Sequence, residues 1–179
     1  MKSLVYDKIR LGVAVLLYLC ATSWADAKVK LPALISDGMV LQREQSVKVW
    51  GTADAGENIT IEFQKKSYHA TADANGQWSI TLPPLKAGGP FLMQINDIKL
   101  NDILVGDVWL CSGQSNMELP VKRVMDMFSN EILNYNNEKI RHILIPQKYN
   151  FHAPQEEISA TSWKTLTQKN VMEFSALAY

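Results

Sequence analysis

The chain has 179 residues with 18 basic and 18 acidic side chains, so its formal net charge is zero. Because 47% of the residues are hydrophobic and 20% are charged, the composition excludes a disordered chain and supplies a packed core. No run of Lys or Arg is longer than Lys65-Lys66, so the sequence offers no footprint for nucleic acid. We therefore expect an uncharged or weakly charged small-molecule partner.

The N-terminus has the pattern of a signal peptide. Lys2, Lys8 and Arg10 precede the apolar stretch LGVAVLLYLCA, and small residues follow in SWADA. The apolar stretch is short for a membrane span, which leaves a short membrane anchor as the alternative. The pattern predicts that residues 1–27 are removed, and that the protein is periplasmic or secreted with no membrane partner afterwards.

Two cysteines occur in the sequence. Cys20 is lost with the signal peptide, so Cys111 remains without an intrachain partner for a disulfide. Because Cys111 lies within an apolar stretch, the pattern predicts a small core residue.

Residues 28–102 have the pattern of a β-rich domain. Short alternating segments are separated by turn residues, including the Asn-Gly pair of DANG (73–76), which tolerates a positive φ. Their spacing, without a helical period between them, predicts an antiparallel β-sandwich-like domain about the size of one immunoglobulin-like or jelly-roll unit. The predicted strands are VKVW (47–50), ITIEF (59–63), YHAT (68–71), WSITL (78–82) and FLMQI (91–95).

Residues 103–179 have a different pattern. The nearly continuous apolar run ILVGDVWLC (103–111) predicts a strand buried on both faces, as in a parallel sheet. A second strand is predicted in IRHILIP (140–146), and EFSALAY (173–179) has the pattern of the first turns of a helix. Strand, helix and strand together predict the start of an α/β domain, truncated after one βαβ unit. Apolar residues at helical spacing after Pro120 predict the intervening helix: Val121, Val124, Met125, Phe128, Ile132 and Tyr135.

The stretch SGQS (112–115) follows the predicted buried strand and is a candidate for chemistry. Catalytic residues of open α/β sheets gather at the carboxyl ends of strands, and Gly113 allows a sharp turn there. Ser115 would then be presented beside free backbone N–H groups that can bind an oxyanion, provided that a histidine activates the hydroxyl. The stretch is not a G-x-S-x-G elbow, because Met117 occupies the last glycine position. A serine at such a junction is alternatively an N-cap.

The stretch GDVWLCSGQSNME (106–118) resembles the nucleophile block of sialate O-acetylesterases, a carbohydrate-esterase family of the SGNH-hydrolase superfamily. Further stretches resemble the same family in the same order, so that the resemblance extends from about Leu31 to Tyr179. These stretches are SDGMVLQR (36–43), VWG (49–51), DANGQW (73–78), LPPLKAGGP (82–90) and FSALAY (174–179).

The resemblance implies a β-rich N-terminal region followed by an SGNH-type α/β domain that hydrolyses O-acetyl esters on sialic acid or related sugars. It implies Ser115 as the catalytic nucleophile, with its own N–H as one oxyanion donor. Gln114 and Asn116 would line the substrate pocket, or alternatively only hydrogen-bond the turn. No metal or other cofactor is implied.

The family's base and its orienting acid come from a D-x-x-H block. The sequence holds three histidines, His69, His142 and His152, and none has an Asp three positions before it. The resemblance therefore places the base beyond Tyr179 and predicts that this chain is an N-terminal fragment, inactive by itself.

A second function class remains open on the sequence. Trp50, Tyr68 and Trp78 lie at alternating strand positions of the β-rich half, where they could form a glycan-binding surface. Because the positions alternate along the strands, core packing is the role that the pattern favours. The alternative to an esterase is thus a non-catalytic glycan-binding or assembly module, or a degenerate esterase remnant.

Overall fold

The computed structural model describes residues 29–134, 136–146, 148–153, 158 and 162–179, and the predicted signal peptide lies outside them. Two short α-helices, α1 (Ser129–Leu133) and α2 (Gln168–Val171), accompany the strands. In these residues no helix has the length and apolar character needed to cross a membrane. The strands are β1 (Val40–Gln42), β2 (Val47–Thr52), β3 (Asn58–Phe63), β4 (Lys66–Thr71), β5 (Gln77–Leu82), β6 (Gly88–Ile95), β7 (Ile98–Gly106), β8 (Asn137–His142) and β9 (Lys164–Leu166).

The first seven strands form two sheets. Five of them pair in the order β1-β7-β6-β3-β4, and β2 pairs with β5. All of these pairings are antiparallel except that of β1 with β7, which is parallel, so the larger sheet is mixed. The five strands predicted in this region are confirmed, each inside a longer observed strand.

Both sheets bury one face in a common core. The alternation of β3 turns Ile59, Ile61 and Phe63 inward, whereas Thr60 and Glu62 point outward. Side chains on the same face of a strand are two residues apart, so this alternation separates core from solvent. The second sheet contributes Val49, Trp78, Ile80 and Leu82 to the same cluster.

Two of the family-like stretches have evident local roles in this core. In DANGQW the Asp73 carboxylate accepts hydrogen bonds from the N–H groups of Asn75 and Gln77, and Gly76 has φ +75°. In VWG, Gly51 lies opposite Trp78 in the β2–β5 ladder. A Cβ at Gly51 would approach the Trp78 ring to 2.8 Å, so only glycine leaves room for the indole.

The predicted buried strand over 103–111 is wrong in its second half. Strand β7 continues through residue 102 into 103–106 and ends at Gly106, and residues 107–113 belong to no strand. Trp109 is 84% exposed, Leu110 is 90% exposed, and Cys111 is exposed rather than in the core. The strand ends because its partner β1 ends opposite it, with Gln42 paired to Gly106.

The predicted helix after Pro120 is also wrong. Residues Val121–Arg123 and Met125–Met127 form single 3-10 turns, and the five residues of α1 follow. The weak helix formers Val124, Asp126, Phe128, Ser129 and Asn130 interrupt this stretch. Its first N–H groups instead donate to carbonyls of a distant segment, residues 172–174.

The described residues do not form the predicted βαβ unit. Strand β8 pairs antiparallel with β9, and residues 143–146, predicted to be strand, lie outside it. Residues 173–179, where a helix was predicted to begin, form turns after α2 and one isolated β-bridge, from Ser175 to Pro120. A small second core packs between these elements, made of Val121, Ile132, Leu166 and Val171.

Candidate active site

Ser115 begins a 3-10 turn, Ser115–Glu118, and is exposed to solvent. The N-cap of this turn is Gln114, in extended conformation, so the alternative prediction of Ser115 as an N-cap is wrong. The Gln114 carbonyl accepts from the Met117 N–H at 2.8 Å, which closes the turn. To none of the described residues does the Ser115 hydroxyl form a hydrogen bond, so it is free to meet a ligand.

The backbone at the start of the turn also has N–H groups without a hydrogen-bond partner among the described residues. The first N–H groups of a helical turn have no partner within it. The N–H groups of Ser115 and Asn116 bond to no described residue, whereas the N–H of Met117 is used in the turn. Two adjacent free N–H groups beside a hydroxyl can bind a developing oxyanion.

Gln114 and Asn116 flank Ser115, and both are exposed. Their backbone carbonyls accept hydrogen bonds from the Met117 and Leu119 N–H groups, at 2.8 and 3.2 Å. Neither side-chain amide bonds to any residue in the described part of the chain. Both amides are therefore available to a ligand rather than used to hold the turn.

Met117 connects the turn to Gly113 and to Ser175. Its side chain lies against Gly113, where an added Cβ would be 3.4 Å from the Met117 Cβ. Its sulfur accepts a hydrogen bond of 3.4 Å from the Ser175 hydroxyl. The stretch GQSNM is thus held by a residue of FSALAY, which lies 58 residues away in the sequence.

Backbone hydrogen bonds extend this contact. Three N–H···O bonds of 2.8, 2.9 and 3.1 Å connect residues 119–122 with residues 172–176. The Lys122 ammonium also donates to both Glu173 carboxylate oxygens at 2.8 Å. The sequence did not predict this pairing; the only signal was that both stretches resemble the same family.

Among the residues that the structure describes, none of the three histidines forms a hydrogen bond with Ser115. His69 lies on β4 and bonds to the Thr60 hydroxyl at 3.1 Å. His152 is exposed in the loop after β8. His142 is buried, and its Nδ1 has no hydrogen-bond partner among the described residues.

His142 nevertheless lies close to the segment that holds the turn. Its ring packs on Phe174 with the ring centroids 4.5 Å apart. Burial lowers the pKa of His142, and the charge of Lys164 on the paired strand lowers it further. His142 is thus a neutral packing residue of the second core at neutral pH.

Metal-ligand clusters and the three aromatic residues of the alternative function were the other candidates for a site in the described residues. Across the described ranges, no group of three or more His, Cys, Asp and Glu side chains could hold a metal ion. Trp78 is buried, and Trp50 and Tyr68 pack against the same core. This packing agrees with the core role that their alternating strand positions favour.

Comparison with known proteins identifies relatives of this chain. No family profile matches it. The sialate O-acetylesterase of Homo sapiens is 33% identical over 131 residues, which cover 65% of this chain and 25% of that protein. The Mus musculus sialate O-acetylesterase is 30% identical over 130 residues, covering 64% and 24%.

A solved structure is similar over a larger share of the chain. The crystal structure of a carbohydrate acetylesterase from Xanthomonas citri aligns with a TM-score of 0.79 and 36% identity, covering 85% of this chain and 36% of that one. This chain thus spans about a quarter of the curated relatives and about a third of the solved one. The chain is similar to the sialate O-acetylesterase family, as the GDVWLCSGQSNME and FSALAY stretches predicted.

Proposed function

We propose that the protein to which this chain belongs is a carbohydrate O-acetylesterase that cleaves O-acetyl esters of sialic acid or related sugars. The likeness to the Xanthomonas citri carbohydrate acetylesterase over 85% of the chain is the observation that carries the proposal. The exposed Ser115 hydroxyl and the free N–H groups beside it agree with an acyl-transfer site. The signal-peptide pattern of residues 1–27 agrees with an exported enzyme.

In this mechanism the Ser115 Oγ attacks the acetyl carbonyl carbon while a histidine removes the hydroxyl proton. The carbonyl oxygen becomes an oxyanion, which the N–H groups of Ser115 and Asn116 stabilise. The C–O bond to the sugar then breaks, and the sugar oxygen takes the proton from the histidine. Water activated by the same histidine hydrolyses the acetyl-enzyme, releasing acetate and restoring Ser115.

The mechanism requires a base that this site does not supply from its described neighbours. His142 is buried on Phe174, and His69 is bonded to Thr60 in the β-rich region. The base in the proposed enzyme is a histidine of the D-x-x-H type that the family resemblance implies, oriented by its Asp. We therefore expect residues 29–179 by themselves to lack esterase activity.

Gln114 and Asn116 have a separate role in the proposal. Each presents a side-chain amide that is free of internal hydrogen bonds, and an amide has both donors and an acceptor. Sugar hydroxyls and the acetyl carbonyl are the matching partners. The two side chains would therefore orient the ester over Ser115.

The decisive experiment is Ser115→Ala in the protein expressed from its complete gene, assayed with p-nitrophenyl acetate and with O-acetylated sialic acid. Loss of the nucleophile of a serine hydrolase lowers kcat by about 10⁴-fold to 10⁶-fold, and we expect a loss in that range. Both substrates should be affected, because both acetyl groups are transferred to the same oxygen.

Ser112→Ala is the matched control, since Ser112 is an exposed serine of the same loop. It should keep its activity within about twofold, as is usual for surface substitutions. Undiminished turnover by Ser115→Ala would exclude Ser115 as the nucleophile. A wild-type protein that binds acetylated sugars without cleaving them would instead identify a glycan-binding module.

A further inference from the structure

The first contact between the β-rich region and the segment that leads to Ser115 lies at the end of β1. Strands β1 and β7 run parallel, with Gln42 opposite Gly106 as the last pair. The Arg43 N–H then donates to the Gly106 carbonyl at 2.8 Å. Beyond that point, neither strand continues.

The Gln42 side chain extends the pairing past the end of the strands. Its Oε1 accepts a hydrogen bond of 2.8 Å from the Val108 N–H. Its Nε2 donates to the Arg43 carbonyl at 3.2 Å, which fixes the orientation of the amide. A side-chain carbonyl thus takes the place that a backbone carbonyl of a longer β1 would have.

Arg43 holds the neighbouring residue. Its Nε donates to the Asp107 carboxylate at 2.8 Å, and the two side chains are 42% and 52% exposed. A solvent-exposed ion pair of this kind contributes little to global stability. Its consequence is geometric, because it fixes the direction in which the chain leaves β7.

These two contacts are the hydrogen bonds that residues 107–113 make within the described part of the chain. The segment is exposed and belongs to no strand or helix. Its position therefore depends on how Asp107 and Val108 are held at one end and on how Met117 is held at the other.

We propose that Gln42 and Arg43 are positioning residues that set the location of Ser115 through Asp107 and Val108. The inference rests on the proposed esterase function for its catalytic consequence, but not for its structural one. A displacement of about 1 Å in a reacting group can cost up to about 100-fold in rate, so a loosened approach segment should lower kcat. The test substrate p-nitrophenyl acetate lacks the sugar hydroxyls that Gln114 and Asn116 would bind, so its KM should change far less.

Gln42→Leu tests the amide contact, with Gln42→Glu as the conservative variant and Gln45→Leu as the matched control. Leucine removes the acceptor for the Val108 N–H, whereas glutamate retains it. Gln45 is exposed in the turn just after β1, and its side chain bonds to no described residue. The measurements are amide hydrogen exchange at Val108 and steady-state kinetics with p-nitrophenyl acetate.

In Gln42→Leu we expect the Val108 amide to exchange about tenfold faster than in the wild type. We also expect kcat to fall about tenfold, with KM within about twofold. Gln45→Leu should match the wild type in both measurements. Gln42→Glu should lie between Gln42→Leu and the wild type, because glutamate keeps the acceptor for the Val108 N–H but loses the donor to the Arg43 carbonyl. Unchanged exchange at Val108 in Gln42→Leu would refute the contact. Faster exchange with unchanged kcat would refute the positioning role.

The charge pair has its own test. Arg43→Asp and Asp107→Arg each place like charges together, so each should lower kcat, and the double variant should recover most of the loss. Failure of the double variant to exceed the single variants would show that the two side chains do not act through each other. A wild-type protein without esterase activity would refute the proposed function, and the exchange measurement would still decide whether Gln42 holds Val108.

Discussion

The β-rich region, residues 29–106, and the region from 107 to 179 differ in the size of their hydrophobic cores and in the elements that form them. The first concentrates 18 buried hydrophobic residues in one cluster, whereas the described part of the second has a cluster of four. Seven paired strands of up to nine residues support the first core, whereas the second is built from short turns, two short helices and one strand pair. Candidate chemistry lies in the second region, as is usual for loops that a rigid scaffold positions.

Exposed apolar surface follows the same division. The first region exposes one large hydrophobic side chain, Leu92 at 52%, among those described. The second exposes many, so its small core leaves most of its apolar surface uncovered. They are Val108, Trp109, Leu110, Met127, Phe128, Ile140, Leu144, Ile145, Tyr149, Phe151, Leu177 and Tyr179. The second region therefore depends more on contacts outside its own core.

Contacts with the first region supply part of that support. The Arg141 guanidinium of β8 bonds to the Asp102 carboxylate of β7 at 2.5 and 3.0 Å. The Trp163 indole N–H donates to the Leu34 carbonyl at 3.0 Å. Gly38 of SDGMVLQR lies close to both side chains. A Cβ added at Gly38 would be 3.3 Å from an Arg141 nitrogen and 3.5 Å from the Trp163 Cβ. The stretch SDGMVLQR is therefore a contact between the two regions.

The largest expected effect comes from matched isoleucine truncations in the two cores. Ile61 is 0% exposed in β3, and Ile132 is 1% exposed in α1. Ile61→Ala should lower the free energy of unfolding by about 3–5 kcal/mol, because a rigid sheet cannot close the cavity. Ile132→Ala should cost about 2 kcal/mol, because the flexible Met125 and Met172 beside it can fill part of the space.

Urea unfolding combined with hydrogen exchange measures both effects. Ile61→Ala should accelerate exchange in both regions, since the second is docked on the first. Ile132→Ala should accelerate exchange in residues 107–179 and leave β3 and β6 protected. Equal losses throughout the chain for both variants would show that the two cores unfold as one unit.

The same contrast explains what the sequence could predict. Alternation in ITIEF and WSITL identified β3 and β5, because one face of each strand is buried against a core within the same region. The run ILVGDVWLC carries the same apolar signal beyond Gly106, yet β7 ends there because β1 ends at Gln42. Local pattern therefore predicts a strand but not whether a partner strand exists beside it.

Some features of the candidate site could likewise be predicted from the sequence, and others could not. Ser115, Gln114 and Asn116 were identified from a contiguous stretch of sequence, and the structure places all three on one exposed turn. The hydrogen bond from Ser175 to Met117 and the support from Gln42 could not be predicted, because each joins residues more than 50 positions apart. Long-range contacts of this kind have no periodicity in the sequence.

A smaller effect is expected at the junction of the two regions. Asp102→Asn removes the charge that pairs with Arg141, whose side chain is 7% exposed, while Asp102 itself is half-exposed. The contact between residues 107–179 and residues 29–106 should lose about 1 kcal/mol of free energy, after allowance for solvent screening of the carboxylate. Limited proteolysis of residues 107–179 should be about fivefold faster, since cleavage follows the open population. Asp97→Asn, at an exposed turn residue, is the matched control.

The pH dependence of this junction has a definite sign. The hydrogen bond from Arg141 lowers the pKa of Asp102 below its ordinary 3.8, against an opposing contribution from burial. The stabilisation is therefore complete above pH 3.8 and is lost as the pH falls through the lower folded value. In Asp102→Asn, the stability of the contact between the two regions should no longer depend on pH through this carboxyl group. Limited proteolysis of wild type and variant between pH 6 and pH 3 measures the difference. A wild-type junction that strengthens on acidification would contradict the ion pair.

The smallest effect concerns His142, which distinguishes the second core from the first in mildly acidic solution. Its pKa is lowered by burial and then by Lys164, so below pH 6.5 the unfolded chain binds more protons than the folded one. The free energy of unfolding of residues 107–179 should consequently fall as the pH drops from 7.5 to 5. His142→Phe retains an aromatic ring against Phe174 but cannot titrate, so hydrogen exchange in this region should become independent of pH once intrinsic exchange rates are corrected. Equal pH dependence in the variant would assign the effect to another group, whereas its loss would show that an uncharged imidazole is a condition for packing the segment that holds the Ser115 turn.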